Sequence, residues 1–421
     1  MRPSDRRRAN RRSLPAMSQS RDRQIPKRPR PLLASEPQRL IIPAMKELLR
    51  KLIQARSTPD TGELAAAQVL ADYFRSAGVE AAVDAWGENR ANVTARLKGT
   101  GDKPPIVLAC HLDVVAPGNE PWEHPPFSGV EVGGCIHGRG SVDMKGGTAA
   151  AAAAMVRIAR MQPTPAGDVI FAATAGEETD SAGATRFVEA FRRCAPVAGV
   201  IIPEPTDFDI VVAHRGLFWL EITTLGKAAH SSTPHLGVNA LLAMKGLLDD
   251  LEGLHIPFTP HPLLGNCSMS INTMHAGQAM NIVPDKCTLG IDIRTVPGQD
   301  HQAIQADMQT LIDKRRTADP AFAAAIKVLR SVGPMETDPD CDFVRTFRRA
   351  VGIDATRAVG FTTDGPHFAA LGGPVLIFGP GRSDQCHKPN EHIALADVER
   401  AADLYVAAIG RCMCIKDCAR P

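Results

Sequence analysis

Short apolar runs alternate with helical patterns along the first half of the chain. Residues 40–55 and 61–78 place apolar side chains three and four positions apart, which predicts two amphipathic helices. Three compact apolar runs follow at residues 105–112, 168–175 and 198–205, and an alanine-rich helical stretch separates the first two. Such runs are typical of strands that are covered on both sides. The alternation predicts an α/β fold with a mainly parallel sheet that helices cover on both faces.

The pattern changes near His214. A strand-like alternation, an amphipathic helix, two more alternating runs and another helix follow, and then the α/β pattern resumes. This order predicts a smaller α+β unit at residues 215–330, inserted into a larger α/β domain formed by residues 37–214 and 331–421.

The charges of the chain are unevenly distributed. Its 421 residues carry a formal net charge of +2, but residues 1–36 hold eleven basic and three acidic residues. With few large apolar residues, this segment is expected to be a disordered basic extension, or sequence upstream of a true start at Met17. The other residues include 37 basic and 43 acidic ones, so nothing indicates a nucleic-acid surface.

Two further features narrow the class of protein. No apolar stretch is long enough to cross a bilayer, and the ten scattered cysteines favour free thiols in a reducing compartment. We therefore expect a cytoplasmic protein that binds neither nucleic acid nor membrane.

Polar side chains follow the predicted strands at the points where they end. They are His111 and Asp113 after the first run, Asp143 in a glycine-rich segment, Glu177 and Glu178 after the second run, and Glu204 in the third. Each alone could be a cap or turn residue. Together they are expected to converge, because the carboxyl ends of strands border the ligand crevice of an open α/β sheet. Converging acids repel one another unless a cation lies among them, so the sequence predicts a metal site.

The types of side chain limit the metal. Carboxylates and imidazoles without a thiolate suit zinc, manganese or cobalt. Two histidines and three carboxylates are enough for two ions about 3.5–4 Å apart that share one carboxylate and one water. His387, just after the strand-like run PVLIFGPG, is the expected second histidine, and His392 and His367 are weaker candidates.

Several motifs occur in the order and with the spacing of one known family. HLDVV, WEHPPFSG and GRGSVDMKGG are followed by AGEE, PEPT, GKAAHSSTPHLGVNA, NIVPDKCTLGIDIR and GPG…CHKPNEH. Residues 38–410 thereby resemble the acetylornithine deacetylase and succinyl-diaminopimelate desuccinylase family, which are di-zinc amidohydrolases related to aminoacylases and glutamate carboxypeptidases. The resemblance implies a homodimer whose inserted domain is ferredoxin-like and serves in dimerisation or as a lid.

The resemblance also implies the metal ligands. Two zinc ions per subunit are expected, with cobalt or manganese as alternatives. One histidine and one glutamate would bind each ion, and an aspartate would bridge the two. These ligands are His111, His387, Glu178, Glu204 and Asp143.

Three more residues receive catalytic roles from the resemblance. Asp113 would hydrogen-bond the imidazole of His111 and fix its tautomer. Glu177 would be the general base that takes a proton from the metal-bridging water and passes it to the leaving amine. His230 would donate a hydrogen bond to the oxyanion, across the dimer interface.

Asn281, Arg294 and Thr363 are the expected substrate contacts. Arg294 could hold a substrate carboxylate in a two-pronged hydrogen bond, or it could be a solvated arginine at a strand end. The segment TTDGPHF departs from the family, because Pro366 stands where many relatives carry an arginine. This weakens the case for a dicarboxylate succinyl substrate, although Arg382 or Arg294 could compensate.

We therefore expect an amidohydrolase that cleaves a small N-acyl amino acid, of the acetylornithine deacetylase type and serving amino-acid biosynthesis. Desuccinylation ranks second, and dipeptide or glutamate carboxypeptidase activity ranks third. The motifs of serine hydrolases (G-x-S-x-G) and zincins (H-E-x-x-H) are absent from the sequence. A family member that has lost catalysis and serves as a binding protein is the remote alternative, because all the expected ligands and helper acids are present.

Overall fold

A computed structural model describes residues 36–415, and side chains are described from residue 43 onward. The predicted basic extension, apart from Glu36, lies outside the described residues. From Ile41 onward the described chain belongs to one compact unit.

Nine α-helices lie in the described part of the chain. They are α1 (Glu36–Gln54), α2 (Leu64–Ser76), α3 (Gly146–Ile158), α4 (Ala182–Phe191), α5 (Ala240–Glu252), α6 (His301–Ala318), α7 (Asp342–Val351), α8 (Gly365–Ala369) and α9 (Leu395–Cys412). None of these described helices combines the length and the apolar character needed to span a membrane.

Sixteen strands are found in the same residues. They are β1 (Glu80–Trp86), β2 (Arg90–Leu97), β3 (Ile106–His111), β4 (Val130–Val132), β5 (Cys135–His137), β6 (Val169–Thr174), β7 (Gly199–Ile202), β8 (Ile210–His214), β9 (Gly216–Leu225), β10 (Ser268–Ala276), β11 (Lys286–Thr295), β12 (Ala323–Val332), β13 (Met335–Glu336), β14 (Thr356–Val359), β15 (Val375–Ile377) and β16 (His392–Ala394).

The large sheet has the order β1-β2-β6-β3-β7-β15-β8-β13, and β14 also pairs with β8. Its centre, from β6 through β3 and β7 to β15, is parallel. Its edges are antiparallel, because β1 and β2 form a hairpin and β13 pairs with β8 in the opposite direction. The predicted α/β class with a central parallel sheet is confirmed, and the antiparallel edges are a feature that the sequence analysis did not predict.

Helices cover both faces of this sheet, as predicted. Every residue of β3 is buried, and successive side chains enter different cores. Ile106 and Leu108 pack in the core under α1, α2, α3 and α9, whereas Val107 and Ala109 pack in the core under α4 and α8. The strand is apolar on both faces because both faces are covered.

Strands β9 to β12 form a second sheet of order β10-β11-β9-β12, in which every neighbouring pair is antiparallel. Helices α5 and α6 pack on one face of it around a separate core. The chain order βαββαβ with this strand order is the ferredoxin-like arrangement. The predicted boundary at residue 330 falls inside β12 (Ala323–Val332). The division into domains, and the role of this segment in dimerisation, stay predictions.

A third sheet, β16-β5-β4, is small and antiparallel. It pairs His392 with His137 and lies in sequence next to the two segments that supply Asp143 and His387. Through this pairing, distant parts of the chain are joined beside the predicted site.

The approach of α3 to the end of β7 leaves no space at Gly147. A Cβ atom there would lie 2.0 Å from the carbonyl oxygen of Pro203, the residue before Glu204. We predict that Gly147→Ala lowers the free energy of unfolding by about 1–3 kcal/mol, because either α3 or the Pro203–Glu204 backbone must move. Chemical denaturation measures this change.

Gly360→Ala is the matched control, because a Cβ at Gly360 would meet nothing within 4 Å. Its free energy of unfolding is expected to stay within about 0.5 kcal/mol of the parent value. Equal stability of the two variants would contradict the proposed close approach at Gly147.

Candidate metal centre

The carboxyl ends of three neighbouring strands meet at the site. β3 lies between β6 and β7 and is parallel to both. β3 ends at His111, the loop after β6 carries Glu177 and Glu178, and Glu204 comes two residues after β7. Because the three strands run in the same direction, they deliver these side chains to one edge of the sheet, as the sequence predicted.

Two further segments complete the group. Asp143 lies in the turn Ser141–Lys145 that leads directly into α3. His387 lies beyond β15, and its backbone is in the left-handed region with φ of 63°. This conformation is uncommon for a residue other than glycine, and proteins maintain such strain mainly at functional sites.

Asp143 shares its two carboxylate oxygens between two imidazole–carboxylate pairs. Its Oδ1 is 3.0 Å from Nε2 of His111, and Oε1 of Glu204 is 3.3 Å from the same nitrogen. Its Oδ2 is 3.2 Å from Nε2 of His387, and Oε1 of Glu178 is 2.9 Å from that nitrogen. The structure thus brings the five predicted ligand residues together, and Asp143 is the one common to both pairs.

The group needs positive charge. Burial, and next the charge of Asp143, raises the pKa of Glu204 to about 7, and the same two causes raise the pKa of Glu178. Hydrogen bonds to Asp143 and Glu178 raise the pKa of His387 to about 10. Ligand atoms of His111, Asp143 and Glu178 lie within 4.8 Å of one another. Nitrogen and oxygen donors at this spacing fit divalent cations, which would supply the charge that protons supply otherwise.

Asp113 does not make the predicted contact. Its nearest carboxylate oxygen is 3.7 Å from Nδ1 of His111, and that nitrogen donates instead to the main-chain oxygen of Asp113 at 2.9 Å. The carboxylate accepts hydrogen bonds from the backbone N–H groups of Gly176, Glu177 and Glu178 at 2.9–3.0 Å. Three main-chain donors outcompete one imidazole, because a buried N–H group without a partner is costly. Asp113 therefore orients His111 through its backbone and the Glu177–Glu178 loop through its side chain.

Glu177 is buried and lines a small cavity together with His111, Glu204 and Asp364. Burial, and next the charge of Glu178, raises the pKa of Glu177. Asp364 is also buried in this cavity, and its charge contributes further to raising the pKa of Glu177. Among the described residues no hydrogen bond occupies the carboxylate of Glu177, so it is available to accept a proton.

His230 and Asn281 lie next to each other. The N–H group of Ser231 donates to the main-chain oxygen of Asn281 at 3.0 Å, and His230 forms an isolated β-bridge with Ile282. Both predicted residues are exposed. No hydrogen bond or ion pair between described residues connects either one to the five ligands, so their contacts with substrate stay predictions.

Arg294 and Thr363 are already engaged. The guanidinium of Arg294 donates to both carboxylate oxygens of Asp292, at 2.9 and 3.1 Å. The two-pronged geometry expected for a substrate carboxylate is therefore taken by a carboxylate of the chain itself. Thr363 is buried, and its hydroxyl lies 3.2 Å from Nε2 of His214 and accepts from the N–H of Gly365. A direct contact with substrate does not fit this position of Thr363.

The weaker histidine candidates have other partners. His392 donates through Nδ1 to the main-chain oxygen of Asn390, and its ring stacks on His137 with the centroids 4.9 Å apart. His367 lies 3.4 Å from the hydroxyl of Thr185. Neither contact involves one of the five ligands.

Sequence reasoning missed the residue that holds the Asp143 turn. Glu391 is 1 % exposed, and its carboxylate accepts from the N–H groups of Gly140, Val142 and Asp143 at 2.8–3.1 Å. It also accepts from the guanidinium of Arg139 at 2.7 Å. The only available signal was an acidic residue four positions after a predicted ligand histidine.

Lys145 was missed for a similar reason. Its ammonium is buried and donates to the main-chain oxygens of Leu52 and Ala55 at the end of α1. Burial lowers the pKa of Lys145 to about 7. The side chain connects the turn that carries Asp143 to a helix nearly a hundred residues earlier in sequence, which no local pattern reveals.

Comparison with known proteins gives a family-level match. The model of peptidase family M20/M25/M40 matches residues 107–411. A probable succinyl-diaminopimelate desuccinylase of Staphylococcus aureus strain Mu50 is 27% identical over 399 residues, which cover 85% of this chain and 96% of that protein. The acetylornithine deacetylase of Myxococcus xanthus is also 27% identical, over 386 residues that cover 87% of this chain and 97% of that protein.

The fold has a counterpart among solved structures. A Bacillus subtilis protein described as a dinuclear metal-binding peptidase of the M20 family superimposes with a TM-score of 0.66 and 17% identity. The match covers 90% of this chain and 99% of that one.

The position of Glu391 leads to a prediction about metal affinity. In Glu391→Gln the side-chain amide has a single acceptor oxygen, so main-chain N–H groups of the Asp143 turn lose their partner. We expect affinity for the divalent ions to fall by about 10–100-fold, as for other groups that orient metal ligands. Metal titration followed by calorimetry measures the change.

Glu131→Gln is the control, since Glu131 is an exposed residue of β4 whose carboxylate pairs with Lys46. Its metal affinity should equal that of the parent protein. Unchanged affinity in Glu391→Gln would show that the turn keeps its shape without this carboxylate.

Proposed function

Because the chain belongs to peptidase family M20/M25/M40, whose members are metal-dependent hydrolases of amide bonds, we propose that it removes the acyl group from a small N-acylated amino acid. The observation that carries this proposal is the carboxylate of Asp143, which lies between two imidazole–carboxylate pairs. Such a donor set suits two divalent ions, and zinc is the proposed metal, with cobalt or manganese as alternatives.

The five candidate ligands divide into two sets, one for each proposed ion. His111 and Glu204 would hold one ion, His387 and Glu178 the other, and Asp143 both. Bound divalent ions lower the pKa of water and stabilise negative charge on an amide oxygen.

Glu177 is the proposed general base. Its carboxylate is next in sequence to ligand Glu178 and is free of hydrogen bonds from described residues. It accepts a proton from the attacking water and later donates that proton to the leaving nitrogen.

The proposed substrate is an N-acetyl amino acid of the acetylornithine type. The two relatives named above, a desuccinylase and a deacetylase, match at the same identity and do not discriminate. A succinyl group brings a second carboxylate, which needs a free cation. Pro366 offers none, and Arg294 and Arg382 are each paired with an acidic residue two positions away in sequence. Desuccinylation therefore ranks second and peptide cleavage third.

We also propose that the protein acts as a homodimer through its second sheet. Strand β10 is an edge of that sheet and is exposed along nearly its whole length. Its neighbourhood exposes large apolar side chains, among them Met274, Met280 and Ile282. Pairing with a second copy would cover this edge. His230 lies beside Asn281 in the same exposed region, and its proposed role is to donate a hydrogen bond to the oxyanion in the partner's site.

The activity can be tested with a substrate panel. We predict that the metal-loaded protein hydrolyses N-acetylornithine with a higher kcat/KM than N-succinyl-diaminopimelate, an acyl-glutamate or a dipeptide. A chelator should abolish the activity and added zinc, cobalt or manganese should restore it.

In Glu177→Gln, kcat should fall by about 10²–10⁴-fold, because proton transfer from the water loses its acceptor.

Glu189→Gln is the matched control, since Glu189 is an exposed residue of α4. It should keep the kcat of the parent protein. Full metal content in Glu177→Gln together with an unchanged kcat would refute the base assignment. A preference for the succinyl substrate would reverse the order of the first two candidates.

A mixing experiment tests the role of His230. Glu177→Gln and His230→Ala are each expected to be nearly inactive. If His230 acts in the partner's site, equal mixing of the two after subunit exchange should restore about a quarter of the parent activity, because one site in each mixed dimer is intact.

Two measurements decide the result. Size-exclusion chromatography with light scattering should give a dimer for the parent protein. No restoration on mixing, with subunit exchange demonstrated, would place His230 in the site of its own subunit or outside any site.

A further inference from the structure

The N–H groups of the loop that carries Glu177 and Glu178 are held by a residue that follows a strand of the large sheet. The carboxylate of Asp113, two residues past β3, accepts from the N–H groups of Gly176, Glu177 and Glu178. This fixes one side of the loop. The carbonyl group of Gly176 accepts from N–H groups later in the same loop, but the carbonyl groups of Glu177 and Glu178 need other partners.

Those partners come from the second sheet. The guanidinium of Arg330, in β12, donates through Nη2 to the main-chain oxygen of Glu177 and through Nη1 to that of Glu178, the latter at 3.4 Å. Nη2 also lies 3.9 Å from the carboxylate of Glu177. The Arg330 side chain is only 13% exposed, so this contact is largely shielded from water.

A β-bulge directs Arg330 toward the loop. Val328 is opposite Leu220 and Arg330 is opposite Trp219, so Leu329 is an extra residue in β12. If the same residues paired regularly, with no bulge, Arg330 would be opposite Phe218, whose ring is in the core under α5 and α6.

The bulge thus moves the arginine from the helix-covered face of the sheet to the open face. A shift of one residue exchanges the faces of a strand, and bulges next to active sites re-aim side chains in this way. Ser331 takes the place opposite Phe218, and its hydroxyl lies 2.8 Å from Nδ1 of His301, the first residue of α6.

We propose that Arg330 is a positioning residue for the general base: its two-pronged contact with the carbonyls of Glu177 and Glu178 makes the position of the base depend on the second sheet. This inference rests on the proposed function. The loop that carries Glu177 and Glu178 is held between Asp113, which follows β3 of the large sheet, and Arg330 in β12 of the second sheet. Loss of the second contact leaves the loop held only by the hydrogen bonds from its N–H groups to Asp113, so the carbonyl side can move and those hydrogen bonds open more often.

The chemistry of arginine is required for this role. A planar guanidinium presents parallel N–H donors that match two acceptors at once. A lysine at the same position keeps the charge but acts as a single point of contact. Arg330→Lys therefore separates the two-pronged contact from the positive charge, and Arg330→Gln removes both.

The test compares kinetics and amide hydrogen exchange. In Arg330→Lys and Arg330→Gln we expect kcat to fall by about 10–100-fold, the cost of misplacing a reacting group by about an ångström. KM and metal content should change by less than about threefold, because no ligand side chain or predicted substrate contact is replaced and Glu178 keeps its contacts with Asp113 and His387. Exchange at the amides of Gly176, Glu177 and Glu178 should be faster than in the parent protein.

Arg316→Lys is the matched control. Arg316 is a half-exposed residue of α6 whose guanidinium donates to the main-chain oxygen of Ala324 in the same strand β12. It should leave kcat and the exchange of the loop amides unchanged.

The outcomes separate this inference from the proposed function. A parent protein that hydrolyses none of the panel refutes the proposed function, while the exchange measurement still decides whether Arg330 holds the loop. Parent-like kcat and exchange in Arg330→Gln would overturn the positioning role. Loss of metal together with activity would overturn it as well, since the residue would then support the metal site and not the base.

Discussion

The structure of the site depends on one carboxylate, that of Asp143, which is shared between two imidazole–carboxylate pairs. Both oxygens of Asp143 face an imidazole, and each imidazole also faces a glutamate. Four acidic or basic partners so close to one aspartate are stable only if positive charge lies among them. The arrangement therefore favours the binding of cations at this edge of the sheet, and the surrounding residues keep the five side chains in position.

Two other carboxylates hold the loops around this group by accepting hydrogen bonds from main-chain N–H groups. Asp113 accepts three N–H groups of the loop after β6, and Glu391 accepts three N–H groups of the turn before α3. These carboxylates thereby provide partners for backbone N–H groups that have none in a strand or helix. Since most of these hydrogen bonds are buried and all are accepted by carboxylates, they are stronger than ordinary loop contacts and fix both loops relative to the sheet.

The sequence predicted the central sheet and the convergence of polar side chains at its edge because both leave local signals, whereas the ligand roles of the five residues came from the family resemblance. Fully apolar runs indicate covered strands, and polar residues directly after such runs mark the ligand edge. The roles of Glu391, Lys145 and Arg330 could not be predicted, because each depends on a partner distant in sequence. The bulge at Leu329 and the Asp292 partner of Arg294 likewise become visible only once strands are paired.

The two imidazoles of the site differ in their access to solvent. The side chain of His111 is 2% exposed at the end of an internal strand, whereas that of His387 is 51% exposed in a loop with left-handed backbone. One side of the five-residue group is therefore enclosed and the other faces outward. A molecule that arrives from solution meets the His387 side first, so the fold sets the direction of approach to these five side chains.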